Sequence, residues 1–265
     1  DDLGRLVVDE LLTAGGTVAA GYSYGYDLDG HVTSRTSVLP GNLAAGSSSF
    51  VYDNAGRLIS WTKPDNTTAL YAYDDSGNLV NNAGITATFD VRNQMVTSGA
   101  TSFEWSARGT LSSATTSGVA TASTFDGLNR LTSNGTSVYS YDSLDRVASA
   151  DSTAFSYAGT EIDPVAIGST RFARSPAGSP IAAQTATDPA VLLGSDRHGD
   201  VGYQFTSAGA VSATRVYDPL GATVGQTGAL VQLGFQGDYT DPTSGDVWMG
   251  ARWYRPGTGG FASRD

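Results

Sequence analysis

The sequence contains no cysteine and few charged residues for its length. Without cysteine, the 265-residue chain forms neither a disulfide nor a thiolate metal site. Lysine and arginine number 15 against 26 acidic residues, and lysine occurs only at Lys63. Because a nucleic-acid-binding protein needs a clustered basic surface, the net charge of −11 argues against that class. No apolar run approaches the roughly 18–20 residues of a membrane-spanning helix, so we expect no membrane insertion by this segment.

The sequence also lacks the short motifs that mark common cofactor sites. It contains no phosphate-binding glycine loop, no zinc-ligand spacing and no dinucleotide-binding fingerprint. We therefore predict no cofactor and no bound metal. Glycine is abundant instead, at 33 residues, and serine and threonine fill much of the remaining chain. This composition is typical of short β-strands joined by many turns.

A seven-residue motif recurs along the chain. It consists of an aromatic residue, Asp, two variable residues, Gly or a substitute, a polar residue, and Leu or Val. The copies are YDLDGHV (26–32), YDNAGRL (52–58), YDDSGNL (73–79), FDVRNQM (89–95), WSARGTL (105–111), FDGLNRL (125–131) and YDSLDRV (141–147), and DDLGRL at the start is a truncated copy. The residues at the Asp position of the motif, which is Ser in WSARGTL, are 27, 53, 74, 90, 106, 126 and 142, so consecutive copies lie 16 to 26 residues apart. A fixed unit with variable spacing indicates a repeat protein whose loops differ in length.

Each copy predicts a β-hairpin. Residues before the aromatic alternate in polarity, as strands do, and Asp followed three residues later by Gly or Asn favours a tight turn. The Asp side chains, such as Asp53, Asp74, Asp126 and Asp142, are expected to cap these turns, and the aromatic side chains Tyr52, Tyr73, Phe125 and Tyr141 to pack along the ribbon. About a dozen hairpins would form an all-β ribbon of ~24 antiparallel strands. Such a ribbon must cover its apolar face, either with further repeats or with its own aromatic residues.

The motif resembles the tyrosine–aspartate (YD) repeats of bacterial Rhs proteins, Tc toxin B and C subunits, wall-associated proteins and teneurins. The last 80 residues or so strengthen the resemblance, because three segments are similar to the Rhs repeat-associated core. These segments are SDRHGDVGYQFTSAGAV (195–211), RVYDPLGATV (215–224) and GFQGDYTDPTSGDVWMGARWYRPGTGGFASRD (234–265). Val247-Trp248 and Trp253-Tyr254 stand where the family often has tyrosine pairs, which keeps aromatic packing. The resemblance implies a YD-repeat hairpin array over 1–187 and a shell-closing core over 188–265.

The resemblance further implies that the ribbon curls into part of a hollow shell. Such a shell encapsulates and helps to deliver a C-terminal toxic effector, so the expected partners are the remaining N-terminal shell portion of the same protein and the effector as cargo. The expected location is secreted or on the bacterial cell surface. An alternative is a surface or adhesion scaffold of the kind found in teneurins and wall-associated proteins.

A second alternative is that the chain contributes to a self-cleaving, aspartyl-peptidase-like site that releases the effector. Arg264 and Asp265 match the Arg–Asp that ends the family signature. A second Asp and the scissile bond would lie beyond Asp265. We therefore expect no enzymatic activity of the isolated chain and place any autoproteolysis in the parent protein.

Two further groups of residues invite a functional interpretation. Asp238, Asp241 and Asp246 lie in an oxygen-rich turn of the kind that calcium prefers, but their spacing matches no complete calcium-binding loop. His31 and His198 occupy turn positions. A catalytic triad would require a serine and an acid to converge on either histidine, and we expect structural roles for both.

Overall fold

The computed structural model describes residues 1–264, which form β-strands joined by tight turns. The strands belong to four antiparallel sheets, and within each sheet the strand order follows the sequence order. The first sheet has twelve strands: β1 (Val8–Leu12), β2 (Val18–Tyr26), β3 (Val32–Val38), β4 (Ser47–Tyr52), β5 (Leu58–Thr62), β6 (Thr68–Tyr73), β7 (Leu79–Asn82), β8 (Ile85–Phe89), β9 (Met95–Ser98), β10 (Thr101–Trp105), β11 (Leu111–Thr116) and β12 (Val119–Ala122).

The remaining sheets continue the same hairpin pattern. A two-stranded sheet contains β13 (Thr124–Phe125) and β14 (Leu131–Ser133). The ten-stranded sheet contains β15 (Tyr139–Tyr141), β16 (Val147–Ala150), β17 (Thr153–Tyr157), β18 (Pro164–Ile167), β19 (Thr170–Arg174), β20 (Pro180–Gln184), β21 (Val191–Ser195), β22 (Val201–Phe205), β23 (Val211–Tyr217) and β24 (Thr223–Thr227). After a 3₁₀ turn at Phe235–Gly237, the last sheet contains β25 (Tyr239–Thr240), β26 (Val247–Trp248), β27 (Trp253–Arg255) and β28 (Gly260–Phe261).

This strand order confirms the predicted all-β ribbon of antiparallel hairpins. Each motif copy joins two neighbouring strands, as YDNAGRL does between β4 and β5. In the part of the chain that the structure describes, no helix is long and apolar enough to span a membrane.

The chain divides into two compact units, each built from an early and a late segment. Unit 1 contains Asp1–Tyr71 and Phe172–Gly237, and unit 2 contains Ala72–Arg171 together with the residues from Asp238 onward. The boundary at 187/188, between the hairpin array and the terminal core, is a division by sequence type. It stays a prediction.

Burial alternates along the strands, as the sequence pattern predicts. In β10, β17 and β19 a buried phenylalanine lies at the centre of the strand between exposed neighbours: Phe103, Phe155 and Phe172. This arrangement directs one face of each hairpin toward a core and leaves the other face, rich in serine and threonine, in solvent.

In six hairpins, the aromatic residue two positions before the aromatic at the turn is the more deeply buried of the two. These buried residues are Tyr24, Tyr71, Phe103, Tyr139, Phe155 and Tyr203, whereas the following aromatics Tyr26, Tyr73, Trp105, Tyr141, Tyr157 and Phe205 are half-buried. Two residues is the period of a strand, so both aromatics share one face. The prediction that the motif aromatics pack along the ribbon is thus correct. The more deeply buried aromatic residues, however, lie two positions earlier in the chain.

Unit 1 shows how the ribbon covers its own apolar face. Tyr22 and Tyr24 of β2 belong to one buried cluster with Tyr203 of β22 and Val216 of β23. The ring centroids of Tyr22 and Tyr203 lie 6.2 Å apart, within the range of favourable aromatic contacts. Strands from the two ends of the unit therefore share a core.

Candidate functional site

The repeat aspartates cap the hairpin turns. One carboxylate oxygen of Asp53 accepts hydrogen bonds from the backbone N–H groups of Ala55 and Arg57, each at 2.9 Å. The turn closes through a bond of 2.9 Å from Gly56 N–H to the Asp53 carbonyl, and Gly56 adopts a φ of 75°, which favours glycine. The same pair of carboxylate bonds recurs at Asp74, Asp90, Asp126, Asp142, Asp196 and Asp218. The predicted capping role is confirmed.

In several motifs the residue four positions after the Asp donates a side-chain hydrogen bond to the same carboxylate. Arg146 donates from Nε to the second oxygen of Asp142 at 2.8 Å, and Asn78 donates to Asp74 at 2.8 Å. The side-chain hydrogen bond from Asn78 is the main cause of the lowered pKa of the Asp74 carboxyl. In the sequence motif this position is distinguished only as polar. Its pairing with Asp was visible as the recurrence of Arg, Asn or His four residues downstream.

Each motif is also joined to the next. The guanidinium of Arg146 lies 4.2 Å from the ring centroid of Tyr157, and the Tyr157 hydroxyl donates to the carbonyl of Val147 at 2.7 Å. The equivalent hydroxyl bonds run from Tyr26 to Leu6, from Tyr52 to Val32 and from Tyr141 to Leu131, and Trp105 Nε1 donates to Met95. Cation–π contact and hydrogen bond together tie consecutive turns into a ladder along one edge of the ribbon.

We expect Asp74→Ala to lower the thermal midpoint by a few degrees, because the variant loses three hydrogen bonds that fix one turn. The adjacent Asp75→Ala is the matched control, since Asp75 is exposed and makes no hydrogen bond with residues 1–264. Thermal unfolding followed by circular dichroism compares the two. Equal midpoints for both variants would show that the cap contributes nothing to stability.

A pair of buried carboxylates lies in unit 1. Asp196, after β21, caps its own turn and receives a hydrogen bond of 3.0 Å from the guanidinium of Arg35 in β3. Asp200 accepts the backbone N–H of Gln236 at 2.8 Å and contacts His198 Nδ1 at 3.0 Å. Both oxygens of Asp196 are thus occupied by protein donors. These hydrogen bonds fix the position of the turn.

Burial changes the protonation of this cluster. Desolvation, reinforced by the negative charge of Asp200, raises the pKa of Asp196 to about 6, although Arg35 acts in the opposite direction. The hydrogen bond to Asp200 raises the pKa of His198. The His198 ring therefore pairs with the Asp200 carboxylate, and no serine hydroxyl among residues 1–264 donates to it. This agrees with a structural role.

The raised pKa of Asp196 predicts a pH-dependent stability. The native state binds more protons than the unfolded state between about pH 4 and 6, so the free energy of unfolding falls as pH rises through that window. We expect this residue to account for a loss of about 3 kcal/mol. The raised pKa of His198 has the same sign, but its stabilisation is lost at higher pH.

Urea denaturation at a series of pH values tests this expectation. Asp196→Asn should flatten the profile between about pH 4 and 6, even though the variant is less stable because Arg35 loses its partner. Capping aspartates such as Asp53 and Asp74 do not mask the effect, because their lowered pKa values place their loss of stability at lower pH. The pKa of the capping Asp218 is raised by burial, but this contribution is present in both proteins and cancels in the comparison. Parallel profiles for both proteins would contradict the assignment.

The terminal segment docks onto repeat strands of unit 2. Tyr139 of β15 donates its hydroxyl to buried Asp241 at 2.8 Å, and Asp241 also accepts the backbone N–H groups of Thr243 and Ser244. Trp253 is almost completely buried, with its ring centroid 4.1 Å from that of Tyr139. These contacts give the signature residues a structural function, which is to fasten β25–β28 to the ribbon.

The end of the described chain runs along the turn 105–111. Leu111 N–H donates to the Ala262 carbonyl at 2.9 Å, and Arg264 N–H donates to the Gly109 carbonyl at 3.1 Å. The Arg264 side chain is exposed at its end but lies against Gly109, where an added Cβ would come within 2.4 Å of Cδ. Asp265 lies outside the described residues, so the pairing of Arg264 and Asp265 in a self-cleaving site stays a prediction.

The structure does not bring the three aspartates of the oxygen-rich turn together as a metal site. Asp241 caps the turn, and Asp246 faces Asn134 and Arg255. Within residues 1–264, three acidic or histidine side chains have all their ligand atoms within 4.8 Å of one another at Asp27, Asp29 and His31. His31 already pairs with Asp27 at 3.0 Å, and nothing in the sequence distinguishes Asp29 from other turn residues.

Comparison with known families agrees with the repeat geometry. A family model described as teneurin YD-shell matches residues 2–159, which is more than half of the chain. The chain belongs to the teneurin YD-shell family. The recognition of YD repeats from the sequence is thereby confirmed, and the ladder of capped turns is the repeated unit of this YD-shell segment. No curated protein matches the chain.

Solved structures show the same fold. The crystal structure of TcdB2–TccC3 without its hypervariable C-terminal region superposes with a TM-score of 0.67 at 17% identity, over 98% of this chain and 16% of that chain. A Photorhabdus luminescens Tc holotoxin pore with a mutated TccC3 gives a TM-score of 0.61 at 16% identity, over 99% and 16% of the respective chains. The YD-shell segment therefore spans about a sixth of each solved chain, and its general role is that of a shell scaffold.

Proposed function

We propose that this YD-shell segment forms part of a wall that encapsulates a C-terminal toxic effector and helps to deliver it. The observation that carries the proposal is the docking of the terminal segment, in which Tyr139, Asp241 and Trp253 fasten the signature to the repeat strands. A β-shell that encloses cargo must resist opening, and buried hydrogen-bonded contacts of this kind stabilise the closed state. One similar solved complex is described as lacking a hypervariable C-terminal region, which agrees with variable cargo after a constant shell.

The proposed partners follow from the same arrangement. They are the remaining N-terminal shell portion of the same protein and the effector held as cargo. The proposed location is secreted or on the surface of a bacterium. The chain spans 16% of the solved chains that it resembles, so these assignments concern a parent protein larger than this segment.

Protease protection in the parent protein tests the encapsulation proposal. We expect the region after Asp265 to resist digestion in the folded parent and to be degraded when it is expressed alone. Intact mass measurement of the parent shows in addition whether the chain is cut. Equal digestion of the region in both contexts would contradict encapsulation.

Self-cleavage is a separate proposal for Arg264 and Asp265. It is favoured by the hydrogen bond from the Arg264 N–H to the Gly109 carbonyl, which fixes the backbone of Arg264. Because an aspartyl site needs two carboxylates that share a proton, replacing one of them removes the reaction. We expect Asp265→Asn to abolish cleavage in a chain extended past Asp265, and the exposed Asp29→Asn to leave it unchanged. Cleavage of the Asp265→Asn protein at the normal rate would rule out this role.

The alternative of a surface or adhesion scaffold is favoured by one observation, which is that the matching family model is that of teneurins. Under this alternative the same β-shell serves as a rigid spacer and encloses no cargo. The protection experiment separates the two functions. An uncut parent with an unprotected C-terminal region and a membrane or wall anchor would favour the scaffold.

A further inference from the structure

One capping aspartate of unit 1 lacks the side-chain partner that most of the others have. Asp218 accepts the backbone N–H groups of Leu220 and Ala222, each at 2.9 Å, through a single carboxylate oxygen. The residue four positions after it is Ala222, which has no donor to offer. Among residues 1–264, no side chain therefore donates a hydrogen bond to the second oxygen of Asp218.

The regular motifs show which chemical group occupies this position. After Asp53, Asp126 and Asp142, the arginine four residues downstream donates from Nε to the second carboxylate oxygen at 2.7–2.8 Å. A terminal guanidinium nitrogen lies 2.6–2.7 Å from the same oxygen. Hydrogen bonds of this kind, between two charged groups, are the stronger ones in proteins. The second oxygen of a capping aspartate in this repeat is thus an acceptor for guanidinium.

Another turn of unit 1 shows that the guanidinium can come from a distant segment. The motif of Asp196 carries Asp200 at the fourth following position, so its own turn supplies no arginine. Arg35 of β3, 161 positions away, donates to the second oxygen of Asp196 at 3.0 Å instead. Asp218 resembles Asp196 in lacking an arginine within its own turn, but no second segment among residues 1–264 provides one.

Asp218 lines a cavity of about 330 Å³, within the range of small-molecule sites. The cavity, which we call the Asp218 cavity, is lined by residues of β2, β3 and β4 and of the turns that follow β21 and β23. All of these residues belong to unit 1. The aromatic side chains in the lining are Tyr24, Phe50 and Tyr52. Because a planar guanidinium stacks on aromatic faces, an arginine side chain finds both a carboxylate and a stacking surface here.

The other charged groups of the Asp218 cavity already have partners. Two hydrogen-bonded pairs of acidic and basic side chains lie in the lining, and these pairs are Arg35–Asp196 and His198–Asp200. The guanidinium of Arg197 lies 5.3 Å from the ring centroid of Tyr26, which does not line the cavity. The carboxylate of Asp218 is therefore the group of this lining whose charge a bound cation would compensate.

The protonation of Asp218 agrees with the missing partner. Desolvation by burial raises the pKa of its carboxyl, and Lys63 acts only weakly in the opposite direction. By contrast, the side-chain hydrogen bond from Arg57 lowers the pKa of the Asp53 carboxyl. A guanidinium bound at Asp218 would stabilise the charged form of the carboxyl in the same way.

We propose that the Asp218 cavity binds an arginine side chain of another polypeptide segment. The guanidinium donates to the second oxygen of Asp218 and stacks on the aromatic rings of β2 and β4. Lysine is a poorer ligand, because its ammonium group is a compact, strongly hydrated charge without a planar face. This inference does not depend on whether the shell encloses cargo.

Titration of the chain with N-acetyl-L-arginine methylamide tests the proposal by NMR and calorimetry. We expect a dissociation constant of about 5 mM or lower. The citrulline analogue has nearly the same shape without the charge, and it should bind at least about tenfold more weakly. The lysine analogue should also bind more weakly than the arginine probe. No binding of the arginine probe at about 50 mM, or equal binding of either analogue, would overturn the proposal.

Asp218→Asn assigns the binding to this cavity. The amide oxygen can still cap the turn, whereas the charged acceptor is lost, so the arginine probe should bind at least about tenfold more weakly. The matched control is Asp65→Asn, which removes the same charge from an exposed turn of unit 1 outside the cavity. Asp65 caps its turn through the N–H of Thr67, and its replacement should leave the affinity unchanged. Unchanged affinity in a folded Asp218→Asn protein would exclude this cavity as the site.

Ala222→Arg provides an independent test, because it places arginine where Arg146 stands relative to Asp142. The new guanidinium should occupy the second oxygen of Asp218, abolish binding of the arginine probe and raise the thermal midpoint by a few degrees. If Asp218→Asn does not fold, Ala222→Arg decides, and undiminished binding by that variant would contradict the proposal. The same titration of the parent protein identifies the source of the arginine. A parent that does not bind the probe supplies the arginine itself, whereas a parent that binds it receives the arginine from a separate protein.

Discussion

Replacement of Gly194 by alanine is expected to destabilise unit 1 by about 3 kcal/mol. Gly194 in β21 pairs with Tyr203 in β22, and the tyrosine ring lies flat across the glycine. A Cβ at this position would come within 2.1 Å of Tyr203 Cζ, so the ring or the strand must move. The ring cannot move freely, because Tyr203 is 5% exposed and packs against Tyr22 and Phe205.

Chemical denaturation measures this effect, and two comparisons identify its cause. Gly15→Ala, in a turn of the same unit, is the control, because its added Cβ meets no atom closer than 3.9 Å. A double-mutant cycle with Tyr203→Leu should show strong coupling, since removal of the ring gives the alanine space. Additive effects of Gly194→Ala and Tyr203→Leu would refute a clash between the two residues.

The hairpin ribbon could be predicted from the sequence because the residues that determine each turn lie close together in the chain. Asp53, Gly56 and Arg57 lie within five residues, and their hydrogen bonds to one another close the turn without help from distant segments. When such a turn repeats along a chain and strand-forming residues lie between the copies, consecutive hairpins form. The same locality explains why the capping role of the aspartates could be assigned in advance.

The deeper core could be predicted only in part. The aromatic of each motif draws attention because it recurs beside Asp, yet residues such as Tyr139 and Phe155, two positions earlier, are more buried. The motif aromatics stay half-buried because their polar atoms reach back to a carbonyl of the preceding motif, as Tyr157 does to Val147. A strand pattern fixes which residues share a face, but it does not fix how deeply each one packs.

The sequence pattern did not predict the hydrogen bonds between side chains that are far apart in the chain. Tyr139 meets Asp241 across 102 positions of the chain, and Arg35 meets Asp196 across 161. These pairings depend on which strands of a unit face each other, which a repeat pattern leaves open. The spacing of Asp238, Asp241 and Asp246 suggested a shared role in one turn, whereas the structure assigns Asp241 and Asp246 to different partners from the repeat strands.

Removal of the Tyr139 hydroxyl is expected to loosen the terminal segment. In Tyr139→Phe, buried Asp241 loses its side-chain donor, and the Asn134 amide loses one of its acceptors. Since Asp241 is 2% exposed, water cannot replace the missing bond, and we expect a loss of about 2–3 kcal/mol. Hydrogen exchange should become faster at Thr243 and Ser244, whose N–H groups are held by the same carboxylate.

Tyr157→Phe provides the matched comparison, because the Tyr157 hydroxyl donates to a neutral carbonyl and its side chain is half-buried. That substitution should cost about 1 kcal/mol and leave exchange in the terminal segment unchanged. Addition of Asp241→Asn to Tyr139→Phe should recover part of the loss, since it removes the uncompensated buried charge. If Tyr139→Phe is no more destabilising than Tyr157→Phe, the bond to Asp241 does not fasten the terminal segment. The proposal that this segment helps to close an encapsulating shell would then lose its main structural support.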